Sequence, residues 1–204
     1  MKPNKLLLTI CLTLAINYAS AQLCTQDDRF IDPQYFSNTQ IDSIKNVSYG
    51  KVLNYKGDAI DLQMDLYFPN NSIDTMAKRP FILLMHGGGW HGGSREQFSY
   101  QCREFAKRGY VTATMSYRLG YDKDVEGDYM RAIYRGQQDA NSAMRYIAAN
   151  AQAFKVDNSW LFFGGSSAGA VTSFLISYAS QEEWNKISTE FESALGRLDS
   201  WKRA

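Results

Sequence analysis

The sequence predicts an α/β fold, a mostly parallel β-sheet with helices on both of its faces. Three observations lead there. The runs FILLMH (81–86) and WLFFGG (160–165) are apolar for a strand's length, as strands buried on both faces of a parallel sheet are. A glycine-rich turn and then a stretch of helical spacing follow each run. Strand-like and helix-like segments also alternate along the chain, the order that lays helices across parallel strands.

In chain order, residues 1–21 read as a signal peptide. Lys2 and Lys5 open it, LLLTICLTLAI is its apolar core, and Ala19-Ser20-Ala21 fits a small-x-small cleavage site. Cleavage after Ala21 is favoured over an uncleaved anchor, because the apolar stretch is short for a bilayer. A lipoprotein cleavage before Cys24 is disfavoured by the bulk of Leu23. The expected destination is secreted or periplasmic, with no membrane association after cleavage. In that oxidising setting Cys24 and Cys102 are a candidate disulfide. The other reading keeps Cys102 as a small core residue and leaves Cys24 free.

Residues 22–46 are polar and irregular and read as an N-terminal arm. The folded domain is expected from residue 47 to 204. VSYGKVLN (47–54) and IDLQMDLYF alternate apolar with polar residues around a Lys-Gly-Asp turn, which predicts an antiparallel hairpin at a sheet edge. After the FILLMH strand, Phe98, Cys102, Phe105 and Ala106 share one face of a helix over 95–108 that Gly109 stops. VTATMSY is the next strand. Ala140, Ala143, Met144, Ile147, Ala148 and Ala151 keep helical period over roughly 130–153. Asp157-Asn158 turns the chain into WLFFGG, and Ala168 to Ser180 is the helix beyond. The closing QEEWNKISTEFESALGRLDSWKRA is polar and helical in part.

At 45% hydrophobic residues and a formal net charge of +1, the chain suits one globular domain with no basic stripe for nucleic acid. No cysteine or histidine pair has metal-ligand spacing, so no metal site and no cofactor are expected.

Two glycine turns carry the chemistry. Gly87-Gly88-Gly89-Trp90-His91-Gly92 satisfies the G-x-G-x-x-G fingerprint of dinucleotide sites, but the following strand ends Met115-Ser116-Tyr117-Arg118 without the acid that would hold a ribose. The better reading is an H-G-G-G oxyanion loop, in which glycine lets backbone N–H groups face an acyl oxygen. Gly165-Ser166-Ser167-Ala168-Gly169 is G-x-S-x-G between a strand and a helix, the setting of a nucleophile elbow. The spacing selects Ser167 over Ser166 as nucleophile. The Ala168 N–H, at the helix start, points where an oxyanion would form. The two motifs stand in the right order, about eighty residues apart, each after an apolar strand.

With both motifs in place, the chain resembles the N-terminal part of the α/β-hydrolases, in the carboxylesterase and lipase branch that carries H-G-G-G. His86-Gly87-Gly88-Gly89-Trp90, FAKRGYVTATMSYRLG, Gln138-Asp139-Ala140 and Gly164 to Ala170 carry the resemblance, which runs from about residue 47 to 180. It implies hydrolysis of small-molecule carboxylic esters through an acyl-enzyme on Ser167. Gly87, Gly88 and Ala168 would then supply oxyanion donors, with His86 and Gly89 supporting the loop. Trp90, Tyr110 and Tyr117 stand where they line a pocket or belong to core and rim.

In that family the acid and then the histidine follow the serine. Here both histidines, His86 and His91, precede it, and none follows. The expectation is therefore a fold cut short after the elbow helix, with the triad acid and base absent and turnover lost. The alternative is a non-catalytic binding module on the same fold.

Overall fold

The computed structural model describes residues 28–198. The signal segment, the proposed cleavage site and Cys24 lie outside them. Five strands form one sheet: β1 (Ile41–Leu53), β2 (Ala59–Pro69), β3 (Arg79–Met85), β4 (Val111–Met115) and β5 (Val156–Gly165), in spatial order β1-β2-β4-β3-β5. β1 and β2 form the expected antiparallel hairpin at one edge. β2 is antiparallel to β4, while β4 and β5 flank β3 in parallel. β2 alone therefore runs against the others. A mostly parallel sheet results, although its hairpin makes the pairings mixed.

β1 starts at Ile41, before the residue-47 start expected from alternation. Asn46 adopts a left-handed φ of 57°, and the register slips between Ile44 and Val47. That bulge puts the earlier residues out of phase with the pattern that marks the later ones. A similar effect explains Asp157-Asn158. The Asp157 carboxylate accepts the Ser159 N–H at 2.9 Å, as a turn does, yet the segment lies inside β5. Extra residues are absorbed by a register shift between the Arg79–Val156 and Phe81–Leu161 pairs.

Alternation along β3 divides the core. Ile82 and Leu84 point toward α1 (Ser99–Ala106), where Cys102 and Ala106 are buried beside them. Phe81, Leu83 and Met85 point to the opposite face. There they meet α2 (Asp128–Ala149) and α4 (Ala168–Tyr178). Helices thus cover both faces. A 3-10 turn over Arg95–Phe98 makes up the front of the helix expected at 95–108. The long helix breaks at Asn150, whose side-chain amide donates to the Tyr146 carbonyl at 2.8 Å, and a short α3 (Ala151–Phe154) follows.

The closing segment is more tightly held than its polarity suggests. α5 (Gln181–Ile187) and α6 (Glu190–Leu195) place Trp184 and Phe191 against Tyr134 of α2, with ring centroids 5.1 and 5.6 Å away. The Trp184 indole donates to Gln137 Oε1 at 2.7 Å, and the Gln138 amide donates to the Leu195 carbonyl. At the N-terminal side, Asp74 receives both Arg29 and Arg79. Burial works to raise its pKa, but the Arg29 hydrogen bonds, the Met76 N–H and the two guanidinium charges hold it below the usual carboxylate value. No helix among the described residues is long and apolar enough to cross a membrane.

Candidate active site

The site follows from strand order. From β3 the chain goes to β4 on one side, while β5 lies on the other. Met85, Met115 and Gly165 end their strands in register. Where a parallel sheet divides in this way, a crevice opens beyond the carboxyl end of the central strand. The residues that follow β3 and β5 are the two glycine motifs.

Ser167 has φ 51° and ψ −118° and leads directly into α4. A non-glycine residue at positive φ is strained, and such strain concentrates where a side chain must be displayed. The Ser167 side chain is exposed at the turn. The turn is held from below. Ser166 N–H donates to the Met85 carbonyl at 3.2 Å, Gly169 N–H to Ser166 at 2.9 Å, and Val171 N–H to Ser167 at 3.0 Å. Strand and helix come so close that a Cβ on Gly165 would lie 2.5 Å from the Met85 oxygen, and one on Gly169 2.1 Å from it.

The other turn closes over this one. A Cβ on Gly87 would stand 3.0 Å from the Ser166 carbonyl oxygen and 3.2 Å from Ser167 Cβ. Gly88, Gly89 and Trp90 have φ of 119°, 59° and 55°. The Gly88 carbonyl accepts N–H groups of His91 and Gly92, both at 3.0 Å, which reverses the chain. Gly87, Ser167 and Ala168 are thus brought together, with Gly88 and Gly89 exposed in the same loop.

His86 is a wall of that loop. Its Nδ1 lies 2.7 Å from the Gly87 carbonyl, which only accepts, so Nδ1 carries the proton. The ring stacks on Tyr117 at 4.3 Å and 15°, and the Tyr117 hydroxyl donates to the His86 carbonyl at 2.7 Å. Burial lowers the His86 pKa, and the Gly87 bond offsets only part of this. Burial likewise raises that of the Tyr117 phenol. Both rings are neutral at pH 7. His91 is exposed, edge-on to Tyr121 at 5.7 Å.

The aromatic residues separate on inspection. Trp90 and Tyr117 are buried framework. Tyr110 precedes β4 at the other end of the sheet and packs on Phe30 and Phe105. Cys102 is fully buried on the inner face of α1, and burial pushes its thiol up to about 12.

Sequence reasoning assigned no bracing role to several residues that hold the site. Thr172 on α4 accepts the Trp90 indole N–H, and Gly136 on α2 leaves room for the indole ring. A glycine inside a helix, and one threonine among apolar neighbours, were the available signals. Asp139, buried on α2, receives the Arg118 backbone N–H at 2.7 Å and its guanidinium. Burial raises the Asp139 pKa against the pull of Arg118. The Arg135 guanidinium donates to the Gly120 carbonyl, and Gly120 N–H donates to Trp90. The segment after β4 is therefore tied to both α2 and the glycine loop. Among the described residues, no group of three or more His, Cys, Asp or Glu is placed to hold a metal ion.

Comparison with known proteins agrees with this geometry. Residues 64–200 match the family described as BD-FAE. A thermophilic esterase, Est2 of Thermogutta terrifontis, superposes with TM-score 0.53 at 29% identity, covering 68% of this chain and 44% of that one. That enzyme has also been solved bound to propionate and phosphonylated by cyclosarin. Gut esterase 1 of Caenorhabditis elegans is 31% identical over 104 residues, 47% of this chain and 17% of that protein. Neuroligin-2 of Rattus norvegicus is 28% identical over 142 residues, 65% of this chain and 16% of that protein. The chain spans about a sixth of these curated relatives and under half of the solved esterase.

Proposed function

The chain belongs to the BD-FAE family, and from that premise we propose that it carries the nucleophile and oxyanion part of an exported serine carboxylic ester hydrolase. The observation that carries the reading is the meeting of two distant motifs. Gly87, after β3, abuts Ser167, strained at the start of α4, across neighbouring strands. In this reading Ser167 Oγ attacks an ester carbonyl, and the negative charge that develops on its oxygen is received by N–H groups of Gly87, Gly88 and Ala168. The dipole of α4 adds to them. Propionate in the Thermogutta esterase supports short acyl groups as substrates here.

The serine still needs a base. The His86 ring is buried and stacked on Tyr117, and His91 leans on Tyr121. No histidine follows Ser167. Loss of the base in a serine protease costs roughly a millionfold in kcat, so these residues on their own are expected to turn over almost nothing. The second reading, a non-catalytic binding module, is favoured by the likeness to neuroligin-2, which is not named for an activity.

The experiment is labelling by a fluorophosphonate together with p-nitrophenyl acetate hydrolysis, on this chain and on Ser167→Ala. Slow labelling of Ser167 that rises with pH, without turnover above the Ser167→Ala background, is the expected result. Turnover that Ser167→Ala abolishes would contradict the missing base. No labelling at all would favour the binding module.

A further inference from the structure

The contact between the two halves of the site is fastened by a buried hydrogen-bond relay that the proposed chemistry does not itself require. Trp90 is the residue next to the three loop glycines, and 4% of it is exposed. Its indole Nε1 donates to Thr172 Oγ1 at 3.1 Å, and Thr172 is 1% exposed. An indole N–H can only donate, so the hydroxyl accepts there. Its own proton goes to the Ala168 carbonyl, 2.9 Å away. The Thr172 hydroxyl thereby accepts one hydrogen bond and donates one.

The ends of the relay are informative. One is the loop that holds Gly87 and Gly88. The other is the carbonyl of Ala168, one helical turn before Thr172 and on the residue that follows Ser167. Trp90 is also fixed on its remaining sides. Its carbonyl accepts Gly120 N–H at 2.7 Å, its φ is 55°, and its ring edge is 3.0 Å from where a Cβ on Gly136 would sit. A ring confined in this way transmits the position of Thr172 to the loop backbone.

We propose that Trp90 and Thr172 are positioning residues. Their hydrogen bond sets the separation between the loop N–H groups of Gly87 and Gly88 and the Ala168 N–H, so that both face one acyl oxygen. The proposal rests on the esterase reading for its chemical meaning, but the clamp can be tested apart from it. Thr172→Val keeps shape and removes the hydroxyl. Trp90→Phe keeps a ring and removes the donor. Thr172→Ser restores the hydroxyl.

Hydrogen exchange read by mass spectrometry on the full chain is the deciding measurement. Residues 86–93 are expected to exchange at least tenfold faster in Thr172→Val and Trp90→Phe, with the rate recovered in Thr172→Ser and residues 111–115 unchanged. Unchanged exchange over 86–93 in both variants overturns the clamp. Uniform acceleration across the chain also overturns it, since that is global destabilisation. The same variants are then labelled with the fluorophosphonate. A tenfold slower rate in Thr172→Val, recovered in Thr172→Ser at equal urea midpoints, supports positioning, and a rate equal to wild type rejects it. If wild type is not labelled, the esterase reading fails, while the exchange result still decides the clamp.

Discussion

Gly169→Ala tests whether the elbow is as tightly built as its geometry states. Alanine in a helix is normally better than glycine by about 1 kcal/mol, so on propensity alone this change should stabilise the chain. Gly169 is the second residue of α4, but its new Cβ would stand 2.1 Å from the Met85 oxygen, 2.6 Å from the Met85 carbonyl carbon and 2.7 Å from the His86 oxygen. All three atoms are backbone, so no rotamer change relieves the overlap. Relief requires α4 to move away from β3 by about 1 Å, which breaks close packing along the interface. Overpacking in a core costs about 1–3 kcal/mol and sometimes more. With the clash confined to backbone the upper end, about 3 kcal/mol, applies, and the helix-propensity gain of about 1 leaves a net loss of about 2 kcal/mol. Gly57→Ala is the comparison. Gly57 has φ 88° and nothing within 4 Å of its Cβ position, so it carries backbone strain alone, about 1–2 kcal/mol. Urea titration followed by tryptophan fluorescence reads both. Gly169→Ala no less stable than wild type would refute the reasoning, because the close approach of strand and helix would then be absent.

Two further predictions follow. Arg118→Met removes the partner of the buried Asp139 carboxylate and should cost about 3–5 kcal/mol at pH 7 by urea titration. Pairing it with Asp139→Leu should recover much of the loss; a double variant as unstable as the single one would show that the stranded charge is not the cause. For His86, burial depresses the folded pKa below the ordinary 6.5. Above pH 6.5 both states are neutral and the residue has no effect on pH dependence. As the pH falls through 6.5 toward the folded pKa, the unfolded chain takes up the proton first, so stability declines. The urea midpoint should drop over that window, and His86→Gln should flatten it; an unchanged slope in His86→Gln would refute a neutral buried imidazole.

The parts of the fold legible in the sequence were those with one strong period. FILLMH is apolar throughout because β3 is covered on both faces, between β4 and β5. WLFFGG looked equally buried, yet Trp160 and Phe162 are 50% and 44% exposed, since β5 lies at the sheet edge among the described residues. Apolar composition reports what a strand could bury, not what covers it here. Trp184, Phe191 and Leu198 were illegible for the opposite reason. They are isolated apolar residues in polar surroundings, divided between two short helices and the residues that follow, and only the surface of α2 shows them to be core. At the site, the glycine motifs were readable because backbone geometry restricts which residues fit. Thr172 and Asp139 act through side-chain contacts, and Gly136 by lacking a side chain, with partners that local sequence does not identify.

The edge position of β5 has a bearing on the site as well. β5 delivers Ser167 from an edge strand, whose outer row of N–H and C=O groups can template association. The restraints on the elbow, however, come from the inner side. Met85 accepts Ser166 N–H, and the Met85 backbone is also what Gly165 and Gly169 pack against. The same strand, one residue later, begins the loop that brings Gly87 to Ser167. One strand end therefore sets both the serine proposed as nucleophile and the groups proposed to receive the oxyanion. Exposure of the outer edge bears on association and solubility, whereas the local geometry of Ser167 depends on β3. That separation is why Ser167, its strain and its facing glycines can be assembled beside an edge strand.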